Sequence, residues 1–153
     1  MSAIRVEHLG DAQRADLTGL LDEVPRYLRG LIERPRRNDL ILVAVLDHEV
    51  VGVLSGSLRD DLSQSGEFVA FSIPGPPHAY LNRVYVLDHA RCADVGRSLV
   101  RSFLAESEAA GCSFVGGLID QTDGGSQWRK TVFEKWGFVV DGRDHFGSVL
   151  TSS

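Results

Sequence analysis

The stretch VYVLDHARCADVGRSLV, residues 84–100, passes from an alternating apolar run into a short loop holding a basic residue, then into a helical pattern beginning near Val95–Gly96. A helix start leaves its first backbone N–H groups without internal partners and carries the positive end of the helix dipole. That combination suits a phosphate or pyrophosphate. Gly96, with no Cβ, lets a phosphate oxygen come close to the backbone. Arg91, Arg97 and Arg101 add charge that can pair with further phosphates. Any βα turn can hold a glycine and some arginines, so this segment alone marks a candidate phosphate site and nothing narrower.

Upstream of it, HAYLNRVYVL (78–87) reads as the same strand in full, and DLILVAVLDHEVVGVLSGSL (39–58) as a β-hairpin about Asp47-His48-Glu49. The first run of that hairpin is almost continuously apolar, which predicts cover on both its faces. Residues 60–77 (DDLSQSGEFVAFSIPGPP) form the longest irregular stretch, with a short strand expected at 67–72 and a Pro-Gly-Pro-Pro end. At the N-terminus IRVEHL (4–9) alternates as an edge strand does. From Asp11, read as an N-cap, to about Glu33 the pattern is helical, and Pro25 is expected in the first turn of a second helix.

Downstream, Val95 to Ala110 is a helix packed through Leu99, Val100, Phe103 and Leu104, with Gly111 as its C-cap. SFVGGLI (113–119) is a buried strand and Gln127–Lys135 a short helix. FVVDGRDHFGSVL is a closing hairpin with Asp141-Gly142 as its turn. The order is β, αα, ββ, β, α, β, α, β, β. It describes an α+β (mixed α/β) layered fold with helices on both faces of the sheet.

The bulk numbers narrow the function. The 153 residues suit a single domain, and an apolar share of 43% with 24% charged residues fills one core and excludes a disordered chain. A net charge of −5 argues against a general nucleic-acid binder, which needs a basic face. Cys92 and Cys112 make neither a disulfide framework nor metal-ligand spacing, so no metal is expected. The opening MSAIRVEHLG has no secretory pattern, and no run approaches the roughly 20 apolar residues of a membrane span, so a cytoplasmic location is expected. The chain lacks the G-x-G-x-x-G of a dinucleotide-binding fold.

Two motifs in order sharpen the reading. Arg91-Cys92-Ala93-Asp94-Val95-Gly96, followed by Arg97-Ser98, resembles the Arg/Gln-x-x-Gly-x-Gly/Ala loop of the GNAT superfamily of N-acetyltransferases. Phe133-Glu134-Lys135-Trp136-Gly137-Phe138, about 40 residues on, resembles that family's Tyr-Glu-Lys-x-Gly-Phe run. The resemblance is strongest over residues 39–142 and implies a mixed sheet of about six to seven strands. It also implies direct transfer of an acetyl group from acetyl-CoA to a primary amine, in a cleft between the fourth and fifth strands. Coenzyme contacts then fall on Val84, Tyr85, Val86, Arg91, Cys92, Ala93, Asp94, Val95, Gly96, Arg97, Ser98, Ser126 and Phe133. The acceptor would be a small-molecule or peptide amine, and family members often dimerise through sheet edges.

The sequence departs from the family pattern twice. Asp94 stands at the first glycine, where its carboxylate either caps the helix and repels phosphates or points outward as a solvated cap. Phe133 stands where many members carry a proton-donating tyrosine, and phenylalanine donates nothing. That departure keeps a second reading open, a catalytically weak acyl-CoA-binding or sensing module.

No base is obvious. Strand alternation places His78, Tyr80 and Asn82 on one face, and they are the candidate catalytic residues, although a histidine after Pro-Pro is also typical of a surface loop. Asp88 and His89 are lesser candidates at the cleft mouth. Trp128 and Trp136 read as packing, Cys92 as an inert small residue, and Asp60 and Asp61 as solvated loop acids that could also attract a cationic amine.

Overall fold

The computed structural model describes residues 3–12, 17–64, 66–91, 94–119 and 126–150. Seven strands form one mixed sheet: β1 (Arg5–His8), β2 (Asp39–Leu46), β3 (Glu49–Asp60), β4 (His78–Val86), β5 (Phe114–Leu118), β6 (Val139–Val140) and β7 (His145–Val149). Their spatial order is β1-β2-β3-β4-β5-β7-β6. The helices are α1 (Thr18–Glu23), α2 (Arg26–Glu33), α3 (Val95–Ala109) and α4 (Ser126–Lys135). The order of elements follows the sequence pattern throughout. The chain forms two compact units, Met1–Ser57 with Asn82–Glu106 and Leu58–Leu81 with Ser107–Ser153.

In the first unit, β1 pairs antiparallel with β2, and β2 with β3. Ile41 to Val45 are all at most 5% exposed, as the unbroken apolar run requires. The hairpin closes through Asp47 and His48, both with positive φ (52° and 66°), the twist-matched two-residue turn that Asp tolerates well. A bulge follows, because Ala44 faces Gly52 while Val45 faces Val50, leaving Val51 over. The Val51 carbonyl accepts the Leu87 amide at 2.9 Å and so pins the end of β4.

Helix α3 buries Val95, Leu99, Val100 and Phe103, each at most 1% exposed, at three-and-four spacing. Gly52 on β3 decides how close its first turn can come. A Cβ at Gly52 would lie 2.7 Å from Val95 Cγ1, 3.1 Å from Leu99 Cδ1 and 3.3 Å from the Tyr85 carbonyl oxygen. Leu28, Leu31 and Ile32 of α2 and Leu20 of α1 are buried.

In the second unit, β5 pairs parallel with β4 through only two residue pairs, Ala79 with Val115 and Tyr80 with Gly116. On its other side β5 pairs antiparallel with β7 over five positions. The carboxyl end of α3 closes as expected at Gly111, whose φ is 83°. Its amide reaches the Glu108 carbonyl and the Cys112 amide the Ser107 carbonyl, both at 3.0 Å.

Several expectations need correction. Helical structure after Asp11 is first a 3-10 turn, Leu9–Ala12, and α1 begins only at Thr18. Pro25 is the residue before α2, with an extended ψ of 148°, one position earlier than expected. Residues 67–70 form a turn, not a strand. Phe68 and Phe71, three apart, point the same way across that turn and pack with Phe114, which a strand's alternation would not allow. The closing hairpin turns through four residues, 141–144, with the left-handed conformation at Asp144 (φ 64°) and not at Gly142. Asp141 Oδ1 accepts the amides of Arg143 and His145, both at 2.8 Å, and this side-chain clamp sets the longer loop.

Gly52→Ala is expected to destabilise the fold by about 1–3 kcal/mol through overpacking. A denaturant melt would measure this, and the double variant Gly52→Ala, Val95→Ala should recover part of the loss.

Candidate functional site

The first unit carries the segment that the sequence marks as a candidate phosphate site. The first intrahelical bond of α3 runs from the Ser98 amide to the Asp94 carbonyl at 3.1 Å. The amides of Val95, Gly96 and Arg97 precede it and belong to the helix end that looks for an outside acceptor. Asp94 carries φ +60°, the conformation a glycine would supply at this family position. Aspartate is among the few residues that enter this region without severe strain. Asp94 is exposed, as are Arg97 and Arg101, while Gly96 and Ser98 are half-buried. The Ser98 hydroxyl donates to the Asp94 carbonyl at 3.0 Å, so it serves its own helix. Cys92 and Ala93 lie outside the described residues.

Arg91 is committed locally. Its Nε donates to the Val86 carbonyl at 3.1 Å, its Nη1 lies 2.6 Å from Asp88 Oδ1, and its guanidinium sits 5.8 Å from the Tyr85 ring centre. The carbonyl of Val86 is therefore already in use, and Asp88 is spent in the same knot. His89 pairs at the surface with Glu49, 2.9 Å away. Val84, Tyr85 and Val86 are half-buried along β4.

Two residues not singled out from sequence shape this unit. Glu23, at the end of α1, accepts the Tyr85 hydroxyl at 3.0 Å and the Asp88 amide at 3.1 Å through one oxygen. Tyr27 on α2 accepts a hydrogen bond from Asn82 Nδ2 at 2.8 Å. The sequence offered no signal for either contact, since the partners are 62, 65 and 55 residues apart. Burial, and then the Glu23 carboxylate, push the Tyr85 phenol up from its ordinary value.

The second unit holds the other candidates. His78 is wholly buried, neither a surface loop residue nor an accessible base. Its Nδ1 accepts the Leu62 amide at 2.8 Å and its Nε2 lies 2.7 Å from the Pro74 carbonyl. Through these two contacts the imidazole ties down the loop after β3. Tyr80 is half-buried against the cluster of Leu62, Phe68 and Phe114. Asp61 caps the turn after β3, accepting the Ser63 amide at 3.1 Å, and bonds to the Ser63 hydroxyl hold its carboxyl below the usual range.

Phe133 sits in an aromatic stack, 4.2 Å from the Phe146 ring and edge-on to Trp136 and Phe138. Trp136 is thus a packing residue, as the sequence suggested. Ser126 begins α4, and its side chain, like that of Trp128, is outside the described part. Cys112 is buried, its thiol facing the Leu58 carbonyl at 3.1 Å and pushed up by burial.

Residues 7–138 match the model of the acetyltransferase (GNAT) family. The chain belongs to that family. No functionally curated protein matches the sequence. Solved GNAT folds are nonetheless similar over nearly the whole chain. A GNAT-family protein from Desulfovibrio desulfuricans aligns at a TM-score of 0.69 with 14% identity, covering 99% of this chain and 100% of that one. The aminoglycoside antibiotic 6'-N-acetyltransferase of Acinetobacter baumannii aligns at 0.63 with 18% identity, over 99% and 98%. The PaiA N-acetyltransferase of Thermoplasma acidophilum, in complex with coenzyme A, aligns at 0.62 with 14% identity, over 97% and 99%. At these identities the likeness is one of fold. No described helix is long and apolar enough to cross a membrane.

The Glu23–Tyr85 contact gives this GNAT chain a measurable pH signature. A phenol held neutral in the folded state contributes stability that is complete below its ordinary pKa, near 10, and is lost as pH rises through the higher folded value. An absorbance titration of the folded protein should show one of its three tyrosines ionising late. Tyr85→Phe should remove that late step, and Glu23→Gln should move it earlier.

Proposed function

We propose that the whole chain acts as one N-acetyltransferase domain, moving an acetyl group from acetyl-CoA to a primary amine by direct attack. The observation that carries this reading is the start of α3. Asp94 has φ +60°, a conformation glycine adopts freely, and the amides of Val95, Gly96 and Arg97 follow at the helix N-terminus. The family membership and the coenzyme A in a similar fold support the same co-substrate.

In this reading the amides of Val95, Gly96 and Arg97 hold the pyrophosphate, with Arg97 and Arg101 adding charge. Acetyl-CoA supplies the acyl group as a thioester, and a thiol with an ordinary pKa near 8.5 is an adequate leaving group without a protein acid. Backbone groups of Val84 and Tyr85 would orient the chain of the co-substrate along β4, and a β4 amide would stabilise the developing oxyanion. Tyr80 and Asn82 remain the β4 candidates for handling the amine. His78 is withdrawn from that role by its two hydrogen bonds.

The stacked, hydroxyl-free Phe133 favours a second reading, an acyl-CoA-binding module with little turnover. Thiol release from acetyl-CoA over a panel of amino sugars, polyamines and peptide amines separates the two. Turnover on at least one amine supports the transferase, whereas a coenzyme-dependent rise in melting temperature with no turnover supports the binding module. No calorimetric heat with millimolar coenzyme A sinks both.

Asp94→Gly tests the helix start directly. Removing a carboxylate beside the phosphates should tighten coenzyme A about fivefold by calorimetry. An unchanged affinity would show that the carboxylate already points away.

A further inference from the structure

Arg91 closes the 3-10 turn that follows β4, Asp88–Ala90, with a helical backbone (φ −65°, ψ −21°). Only Cys92 and Ala93 separate it from Asp94. The place at which Arg91 is held therefore limits where Asp94 can lie, since each residue spans at most about 3.6 Å. The near end of the turn is well fastened. The Leu87 amide reaches the Val51 carbonyl and the Ala90 amide reaches the Leu87 carbonyl, both at 2.9 Å. Glu23 holds the Asp88 amide at 3.1 Å, and Glu49 pairs with His89 at 2.9 Å. The far end has a weaker backbone tie, because the Arg91 amide lies 3.4 Å from the Asp88 carbonyl, longer than an ordinary N–H···O bond.

The Arg91 side chain supplies what that long bond does not. Its Nε donates to the Val86 carbonyl at 3.1 Å, and its Nη1 lies 2.6 Å from Asp88 Oδ1. Its guanidinium also sits 5.8 Å from the Tyr85 ring centre. Tyr85 is fixed in turn by Glu23, which accepts its hydroxyl at 3.0 Å. Glu23, Tyr85, Arg91 and Asp88 thus form a closed circuit inside the first unit. A rigid guanidinium fork can serve a carbonyl through Nε and a carboxylate through Nη1 at once, and a lysine ammonium has no such fork. Moving the guanidinium onto a phosphate would exchange the Asp88 carboxylate for another anion and give up both the Val86 carbonyl and the Tyr85 ring. Arg97 and Arg101 stand exposed on α3.

We propose that Arg91 is a positioning residue of the coenzyme site and not a phosphate ligand. Its guanidinium stays on Val86 and Asp88 when coenzyme A binds, holding the end of the turn from which the chain goes on to α3. The phosphates are left to the α3 amides, Arg97 and Arg101. This inference rests on the coenzyme reading above. Positive charge at position 91 is then not enough, and the fork is what counts.

The test uses the full chain. Coenzyme A is titrated by calorimetry into the unsubstituted protein, Arg91→Lys and Arg91→Gln. Both variants should lose affinity about tenfold, the cost of a broken charge-assisted contact, with lysine rescuing nothing. Independently, nitrogen-15 NMR of the unsubstituted protein should find the Arg91 Nε–H protected from exchange, its signal identified by its loss in Arg91→Lys. That protection should persist when coenzyme A saturates the protein. If a variant fails to fold, the exchange measurement with and without coenzyme A decides alone, the signal then being assigned through the backbone. Full affinity in Arg91→Lys beside a loss in Arg91→Gln shows that charge suffices and overturns the inference. Unchanged affinity in both variants overturns it too, as does an Nε–H released on saturation. Each of these leaves the coenzyme reading standing. An unsubstituted protein that gives no heat at millimolar coenzyme A overturns both.

Discussion

Between β3 and the first turn of α3 there is room for a hydrogen atom and for little else. Gly52 faces Val95, Leu99 and the Tyr85 carbonyl at distances a side chain could not share, and the bulge beside it hands the Val51 carbonyl to the Leu87 amide. Those two contacts fix where β4 stops and where α3 starts. A 3-10 turn at Asp88–Ala90 follows β4, and Asp94, with a left-handed backbone, precedes α3. Packing at one glycine thus sets the direction in which the α3 amides look.

Polar contacts refine this frame. Glu23 ties the end of α1 to Tyr85 and to the amide of Asp88, and Tyr27 ties α2 to Asn82. Each links a helix far back in the sequence to β4 or the turn that follows it. In the second unit the same logic recurs with His78, which fastens the loop after β3 through Leu62 and Pro74. A residue chosen for its chemistry is there used for architecture.

The order of elements was readable because apolar spacing changes period wherever the chain changes element, as in the unbroken 40–46 run and the three-and-four spacing of Leu99, Val100 and Phe103. Local turns were less readable. Phe68 and Phe71 look like strand residues by composition, and only their contacts with Phe114 reveal a turn. Asp141-Gly142 carries the letters of a two-residue turn, but the carboxylate clamp on Arg143 and His145 moves the reversal onward. The helix start at Val95 was legible from its motif, whereas the roles of Glu23 and Tyr27 depend on contacts across more than fifty residues.

The knot around Arg91 bears on how the protein responds to salt. A guanidinium shared among the Val86 carbonyl, Asp88 and the Tyr85 ring is locally neutralised. It keeps few loosely held counterions. Arg97 and Arg101, by contrast, are open to solvent, where their charge is screened within about 10 Å at 0.1 M salt. Added salt therefore acts differently on Arg91 than on the two arginines that follow it.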